Sequence, residues 1–297
     1  DNTLKMEPSK EYLFKYKGTY FVTKDTSPEY LDSLEDFEIR DSDVFLATYP
    51  KSGTVWTQNI LSLILHEGHR NGTENMDIMD RIPWLEYNDK NMDYANLPSP
   101  RALATHLPYY LVPRDLRNKR ARVIYVSRNP KDVMVSYYHF SKYMTVLEEI
   151  PDFNLLMERF LAGKEVVSGS WIDHVSGWYS HAEDFNILFL TYEEMKKHQD
   201  LEACPQKSTG SLAHSPEPGS CWGSQEHLPR VAPTVCSRLR RGARSASHLP
   251  LLLFSSGTVG DWKNIMTVAQ NERFDKVLKD KMKTLPIKYV WDIKDEM

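Results

Sequence analysis

Cysteine is nearly missing from this chain: Cys204, Cys221 and Cys236 are its only three, and all fall between His198 and Ser256. Disulfides therefore cannot frame the fold. The cysteine spacings relative to His198, His214, His227 and His248 contain no close Cys-x-x-Cys pair and match no zinc pattern, so no metal is expected. Long apolar runs are also absent. Nothing approaches the ~18 residues of a membrane span, and the opening Asp1-Asn-Thr-Leu-Lys-Met-Glu-Pro8 has no signal-peptide core, so a cytoplasmic protein with no membrane partner is expected. A basic excess is lacking too, with 37 Lys and Arg against 41 Asp and Glu, which argues against nucleic acid as a partner and makes any basic site local. The standard nucleotide loop, Gly-x-x-x-x-Gly-Lys-Ser/Thr, is missing from the strand-to-helix junction where it would belong.

That junction has a different basic loop. Asp43-Val-Phe-Leu-Ala-Thr48 reads as a strand and Thr54-Val-Trp-Thr-Gln-Asn-Ile-Leu-Ser-Leu-Ile-Leu65 as a helix, with Lys51, Ser52, Gly53 and Thr54 between and at the join. The unpaired first-turn N–H groups of the helix, its dipole, the lysine and the backbone freedom of Gly53 together describe an anion site, most simply for a phosphate. Length and ordinary composition fit one large α/β domain.

Ala121-Arg-Val-Ile-Tyr-Val-Ser127 reads as a second strand. It is followed by Arg128, the N-cap Asn129, Pro130 at the first helical position, and a helix. A third strand, Phe185–Tyr192, leads into a helix beginning at Glu193-Glu-Met-Lys-Lys197, and helical stretches around Phe153–Leu161 and Trp171–His181 lie between. Strands alternating with helices imply a central parallel sheet flanked by helices, with ligands at the carboxyl ends of the strands. Both basic loops then share one rim. Lys51 and its neighbouring amides hold one anionic group, while Arg128 and Ser136, two turns along its helix, hold another; a mononucleotide with separate 5′ and 3′ anions fits.

The runs Thr48-Tyr-Pro-Lys-Ser-Gly-Thr-Val-Trp56, Tyr125-Val-Ser-Arg-Asn-Pro-Lys-Asp-Val-Met-Val-Ser-Tyr-Tyr-His-Phe140 and Gly257-Thr-Val-Gly-Asp-Trp-Lys263 resemble the cytosolic sulfotransferases. Ser99–Pro108 and Asn154–Gly163 look most like the amine branch. The resemblance implies sulfuryl transfer from 3′-phosphoadenosine 5′-phosphosulfate to an amine, phenol or alcohol on a small molecule, in one domain with a P-loop-like strand-loop-helix anion site. It further implies that Lys51 contacts the 5′-phosphosulfate and stabilises the leaving oxygen. Ser52, Gly53, Thr54 and Thr57 then line the cradle, Trp56 faces the adenine, Arg128 and Ser136 hold the 3′-phosphate, and Tyr192 and Gly257 belong to the nucleotide wall. His106, in Thr-His-Leu-Pro, matches the catalytic base, and an ordinary pKa of ~6.5 suits a base near neutrality. Ala104 stands where many relatives place a lysine. Tyr20, Phe21, Trp84, Tyr109, Phe140 and Tyr143 are candidates for an aromatic acceptor pocket. Lys263, Thr267, Val268 and Glu272 match a short homodimer motif.

The resemblance breaks over 198–256, which has no helical or strand periodicity and reads as a disordered replacement segment within the domain spanning 1–297. Ser255 and Ser256 replace an Arg-Lys pair that relatives carry before the glycine matching Gly257. Two alternatives therefore stand beside the enzyme: an inactive sulfotransferase-like binding protein, and a nucleotide-dependent small-molecule kinase.

Overall fold

The computed structural model describes residues 12–65, 76–118, 120–203 and 257–292; the three cysteines, Ser255, Ser256 and most of the replacement segment lie outside them. A four-stranded parallel sheet forms the centre. Its strands are β3 (Val44–Thr48), β4 (Ala102–Thr105), β5 (Arg122–Ser127) and β6 (Asn186–Thr191), in the spatial order β4-β3-β5-β6. A separate antiparallel hairpin, β1 (Leu13–Tyr16) and β2 (Thr19–Val22), turns at Lys17-Gly18, both with positive φ. Two such residues set the reversed twist of a two-residue hairpin loop.

Every residue of β3 and β4 is buried, as expected for parallel strands covered on both faces. The period-2 alternation of side chains divides the core into two. Phe45, Ala47, Val123 and Tyr125 join the larger cluster, with Phe160, Trp171 and Trp178 from the helices α5 (Phe153–Ala162) and α6 (Trp171–Ser180). Leu46, Ile124 and Val126 point the other way, onto Ile60 and Leu61 of α2 (Thr54–Leu65). Ala104 is wholly buried on this second face.

α4 (Pro130–Ser141) starts as its sequence dictates, with the Asn129 side chain accepting from the Asp132 amide and Pro130 in the first turn. That turn also anchors the C-terminal return. Asp132 accepts from the amides of Gly260 and Trp262 at 2.9 and 3.0 Å. The Lys131 ammonium meets Asn271 and Asp275 at 2.5 and 2.6 Å and lies over the rings of Trp262 and Trp291. The return contains α8 (Trp262–Ile265) and α9 (Val268–Met282), the latter opened by a reciprocal Thr267–Gln270 capping box. α7 (Tyr192–Ala203) follows β6 without a break. Its helical backbone thus runs past Lys197, where the family pattern was expected to end.

A buried ion pair ties the amino ends of β3 and β4. Arg101 grips both oxygens of Asp43 at 2.9 and 2.5 Å and also donates to the carbonyls of Tyr94 and Glu38. Removing one partner of such a pair strands a charge in the core at a cost of ~3–5 kcal/mol. Asp43→Ala is expected to lower the urea unfolding free energy by about that much, measured by circular dichroism.

Candidate active site

The carboxyl ends of β3, β4 and β5 carry the three site loops to one rim. After Thr48 the chain passes through Lys51 at φ 69° and Gly53 at φ 95° before α2 begins. Only glycine fits at 53, since a Cβ there would lie 2.5 Å from the Tyr192 ring. Lys51, a non-glycine in left-handed backbone, occupies a conformation that surrounding structure must impose. Its ammonium rests 3.8 Å over the Phe140 ring, and burial, with Arg128 adding, lowers its pKa to about 8. The Ser52 hydroxyl is buried with no partner, the Thr54 hydroxyl meets that of Thr48 at 2.7 Å, and the Thr57 hydroxyl donates to the Gly53 carbonyl.

The second basic loop closes on the first. Arg128 donates to the carbonyls of Lys51 and Thr258, both at 3.2 Å, stacks over Tyr192 at 4.3 Å, and leaves its Nε buried and unpartnered. Tyr192 donates to the Gly257 carbonyl at 2.9 Å and packs edge-on against Trp56 at 5.3 Å, while Lys196 covers the other ring at 5.0 Å. Ser136 is buried on α4. Lys51, Arg128, Tyr192, Trp56 and Gly257 are therefore brought together, as the motifs implied. Behind them, Glu193 accepts from the Asn129 amide at 2.7 Å, and burial raises its pKa to about 7.

His106 follows β4 directly. Its Nδ1 lies 2.7 Å from the Thr48 carbonyl and 3.1 Å from the Thr48 hydroxyl. A carbonyl oxygen only accepts, so Nδ1 carries the proton and Nε2 keeps its lone pair. The ring packs against Trp84 at 4.4 Å. The ordinary histidine pKa expected from sequence needs correcting: burial lowers it to about 3, with His174 and the nearby Lys51 charge adding. The imidazole is neutral at working pH and hydrogen-bonded through Nδ1.

The aromatic candidates divide. Trp84 and Phe140 touch the site, against His106 and Lys51 respectively. Phe21 is a core residue packed on Phe14, Tyr109 stacks on His181 at 3.8 Å, and Tyr143 is 60% exposed. The Tyr20 ring lies under the Lys15 ammonium at 5.8 Å, and its carbonyl accepts from the Ser168 amide. Sequence reasoning missed the acidic neighbourhood of Trp84. A cavity of about 320 Å³ is walled by Trp84, Tyr87, Tyr94 and Met92 and carries Asp25, Asp77, Asp80 and Asp89. Asp80 pairs with Lys90 and Asp77 caps a short helix, while burial and the facing Asp89 raise the Asp25 pKa. The density of aspartates over 77–93 was the available signal. Among the described residues no group of three or more His, Cys, Asp or Glu is arranged to hold a metal, and no helix is long and apolar enough to cross a membrane.

A family model described as Sulfotransferase domain matches residues 41–203 and 243–286, interrupted within the 198–256 stretch. Amine sulfotransferase of Oryctolagus cuniculus is 47% identical over 98% of this chain and 97% of the relative. Sulfotransferase 2B1 of Mus musculus is 36% identical over 95% and 84%. Among solved structures, mouse sulfotransferase SULT7A1 complexed with PAP superposes with a TM-score of 0.65 at 30% identity, covering 93% of this chain and 96% of that one. Retinol dehydratase in a complex with retinol and PAP shares the fold, with a TM-score of 0.66 at 20% identity, covering 92% and 90%. The chain belongs to the sulfotransferase family, and this membership replaces the kinase alternative.

The Lys51 pKa yields a pH dependence. Below about 8 the ammonium is charged and attracts a dianion; above it the charge is lost, so affinity for adenosine 3′,5′-bisphosphate falls as pH rises through that value. Calorimetric titration from pH 6.5 to 9.5 is expected to show a decline steeper in the wild type than in Lys51→Arg, whose guanidinium stays charged.

Proposed function

We propose that the chain transfers a sulfuryl group from 3′-phosphoadenosine 5′-phosphosulfate to the nitrogen of a small amine. The observation that carries this reading is the junction at Thr48, which joins a neutral His106 with free Nε2 to the Lys51 loop. The unpartnered Ser52 hydroxyl and Arg128 Nε are buried groups suited to a ligand bearing two separated anions. Lys51, Ser52, Gly53, Thr54 and Thr57 hold the 5′ end, Arg128 and Ser136 the 3′-phosphate, and Trp56, Tyr192 and Gly257 the nucleotide wall. The amine lone pair attacks sulfur, the sulfur–oxygen bond to the 5′-phosphate breaks with its electrons on that phosphate, and Lys51 opposes the growing charge. The nitrogen's proton passes to His106 Nε2.

Amine preference is supported by the 47% identical amine sulfotransferase and by the cavity beside Trp84, where aromatic faces and aspartates would gather the protonated amine, which becomes a nucleophile once it has lost that proton to solvent. The test uses purified protein, radiolabelled donor and a panel of amines, phenols and alcohols. Transfer to amines is expected, with His106→Ala lowering kcat by roughly 10²–10⁴-fold and Asp25→Asn with Asp89→Asn raising KM for cationic amines more than for neutral phenols. Failure to saturate with adenosine 3′,5′-bisphosphate would instead establish the inactive, sulfotransferase-like alternative.

The same reading includes a cytoplasmic location, carried by the family resemblance, and a homodimer through Lys263, Thr267, Val268 and Glu272. Val268 is 76% exposed beside the 38% exposed Ile265, an apolar pair at the capped start of α9, which supports a covered surface. Lys263 is already paired with Asp292, leaving the valine as the apolar anchor. Light scattering is expected to give twice the chain mass for the wild type and a single chain mass for Val268→Glu.

A further inference from the structure

His106 sits just past the last residue of β4, where no strand or helix ladder holds its peptide. Side chains hold it instead. Its amide donates to Glu86, and its carbonyl accepts from the Ser168 hydroxyl at 3.2 Å and lies 3.1 Å from His174 Nε2. Because that carbonyl only accepts, Nε2 of His174 carries the proton. Nδ1 is then the acceptor, and the Tyr125 hydroxyl donates to it at 2.9 Å. A directed relay runs from Tyr125 on β5, through His174 on α6, to the backbone of His106.

The same imidazole also reaches the anion loop. It packs edge-on against Tyr49 at 5.6 Å, two residues before Lys51, and Tyr49 donates to the Gly169 carbonyl at 2.9 Å. His174 and Tyr125 are both buried. We infer that His174, oriented by Tyr125, is a positioning residue that fixes the His106 backbone relative to the Lys51 loop. The inference rests on the reading of His106 as the base. Any buried histidine must satisfy both ring nitrogens; what singles out this one is that its N–H is spent on the peptide of His106. Burial keeps the imidazole neutral, with a pKa of about 4, so the relay's direction persists across the working pH range.

The test compares His174→Phe, which keeps the ring and loses both hydrogen bonds, with His174→Gln, which restores an N–H at a similar reach. Activity is measured with radiolabelled donor, and adenosine 3′,5′-bisphosphate binding by calorimetry. The phenylalanine variant is expected to lose roughly tenfold to a hundredfold in kcat, the scale of a misplaced catalytic group, with nucleotide affinity within about twofold of wild type on the same scale. Glutamine is expected to recover most of the loss. Should the stranded Tyr125 hydroxyl prevent folding, Tyr125→Phe with His174→Phe removes both partners and is held to the same expectation. Unchanged kcat in the phenylalanine variants beside an inactive His106→Ala, or a glutamine variant as slow as phenylalanine, would overturn the inference. Full activity in His106→Ala would remove the base itself, and the inference with it, a failure that the His174 variants alone do not produce.

Discussion

The hydrogen bond between His106 Nδ1 and the Thr48 carbonyl is the contact on which the site depends. It joins the carboxyl ends of two neighbouring parallel strands just where each leaves the sheet. One strand then becomes the Lys51 loop and the other the segment bearing His106. The bond fixes the imidazole tautomer, so the basic nitrogen is decided by backbone rather than by ambient pH. The Thr48 hydroxyl extends the link to Thr54 in the first turn of α2. His106 and the first turn of α2 are thus two ends of one short polar chain.

Several elements converge to keep that chain in register. At the opposite ends of the same strands, the Asp43–Arg101 pair sets how β3 lies against β4. Two faces of apolar side chains leave the sheet little freedom to slide, since a one-residue shift would reverse every side chain. Charges at the rim are correspondingly expensive to hold. Lys51 is desolvated beside Arg128, and Glu193 is a buried carboxylate behind the arginine loop. An anionic ligand bridging Lys51 and Arg128 would offset their mutual repulsion.

Much of this was legible from sequence because local rules governed it. Val44–Thr48, Thr54–Leu65 and the Asn129-Pro130 helix start follow from periodicity and capping alone, and the structure places them within a residue or two of the reading. β4 was not legible: Ala102-Leu-Ala-Thr105 is short and poor in β-branched residues, and it is a strand because β3 offers it a buried edge. The hairpin at Lys17-Gly18 was likewise passed over. The lowered pKa of His106 also escaped the sequence, since it comes from burial by residues distant along the chain. Around Trp84 the local aspartates are visible in sequence, whereas Asp25 joins them only when it is folded beside Asp89. The three-residue relay behind His106 has no local signature at all.

Tyr192 has one further consequence. Its ring fills the space a side chain at Gly53 would need, carries Arg128 on its face, and ties its hydroxyl to Gly257. The two cationic loops are therefore spaced by one aromatic ring and by the direct Arg128–Lys51 hydrogen bond. The rim works as a gauge. On the proposed reading it would match the span between two anionic groups, so the spacing of a nucleotide's charges would matter as much as their number.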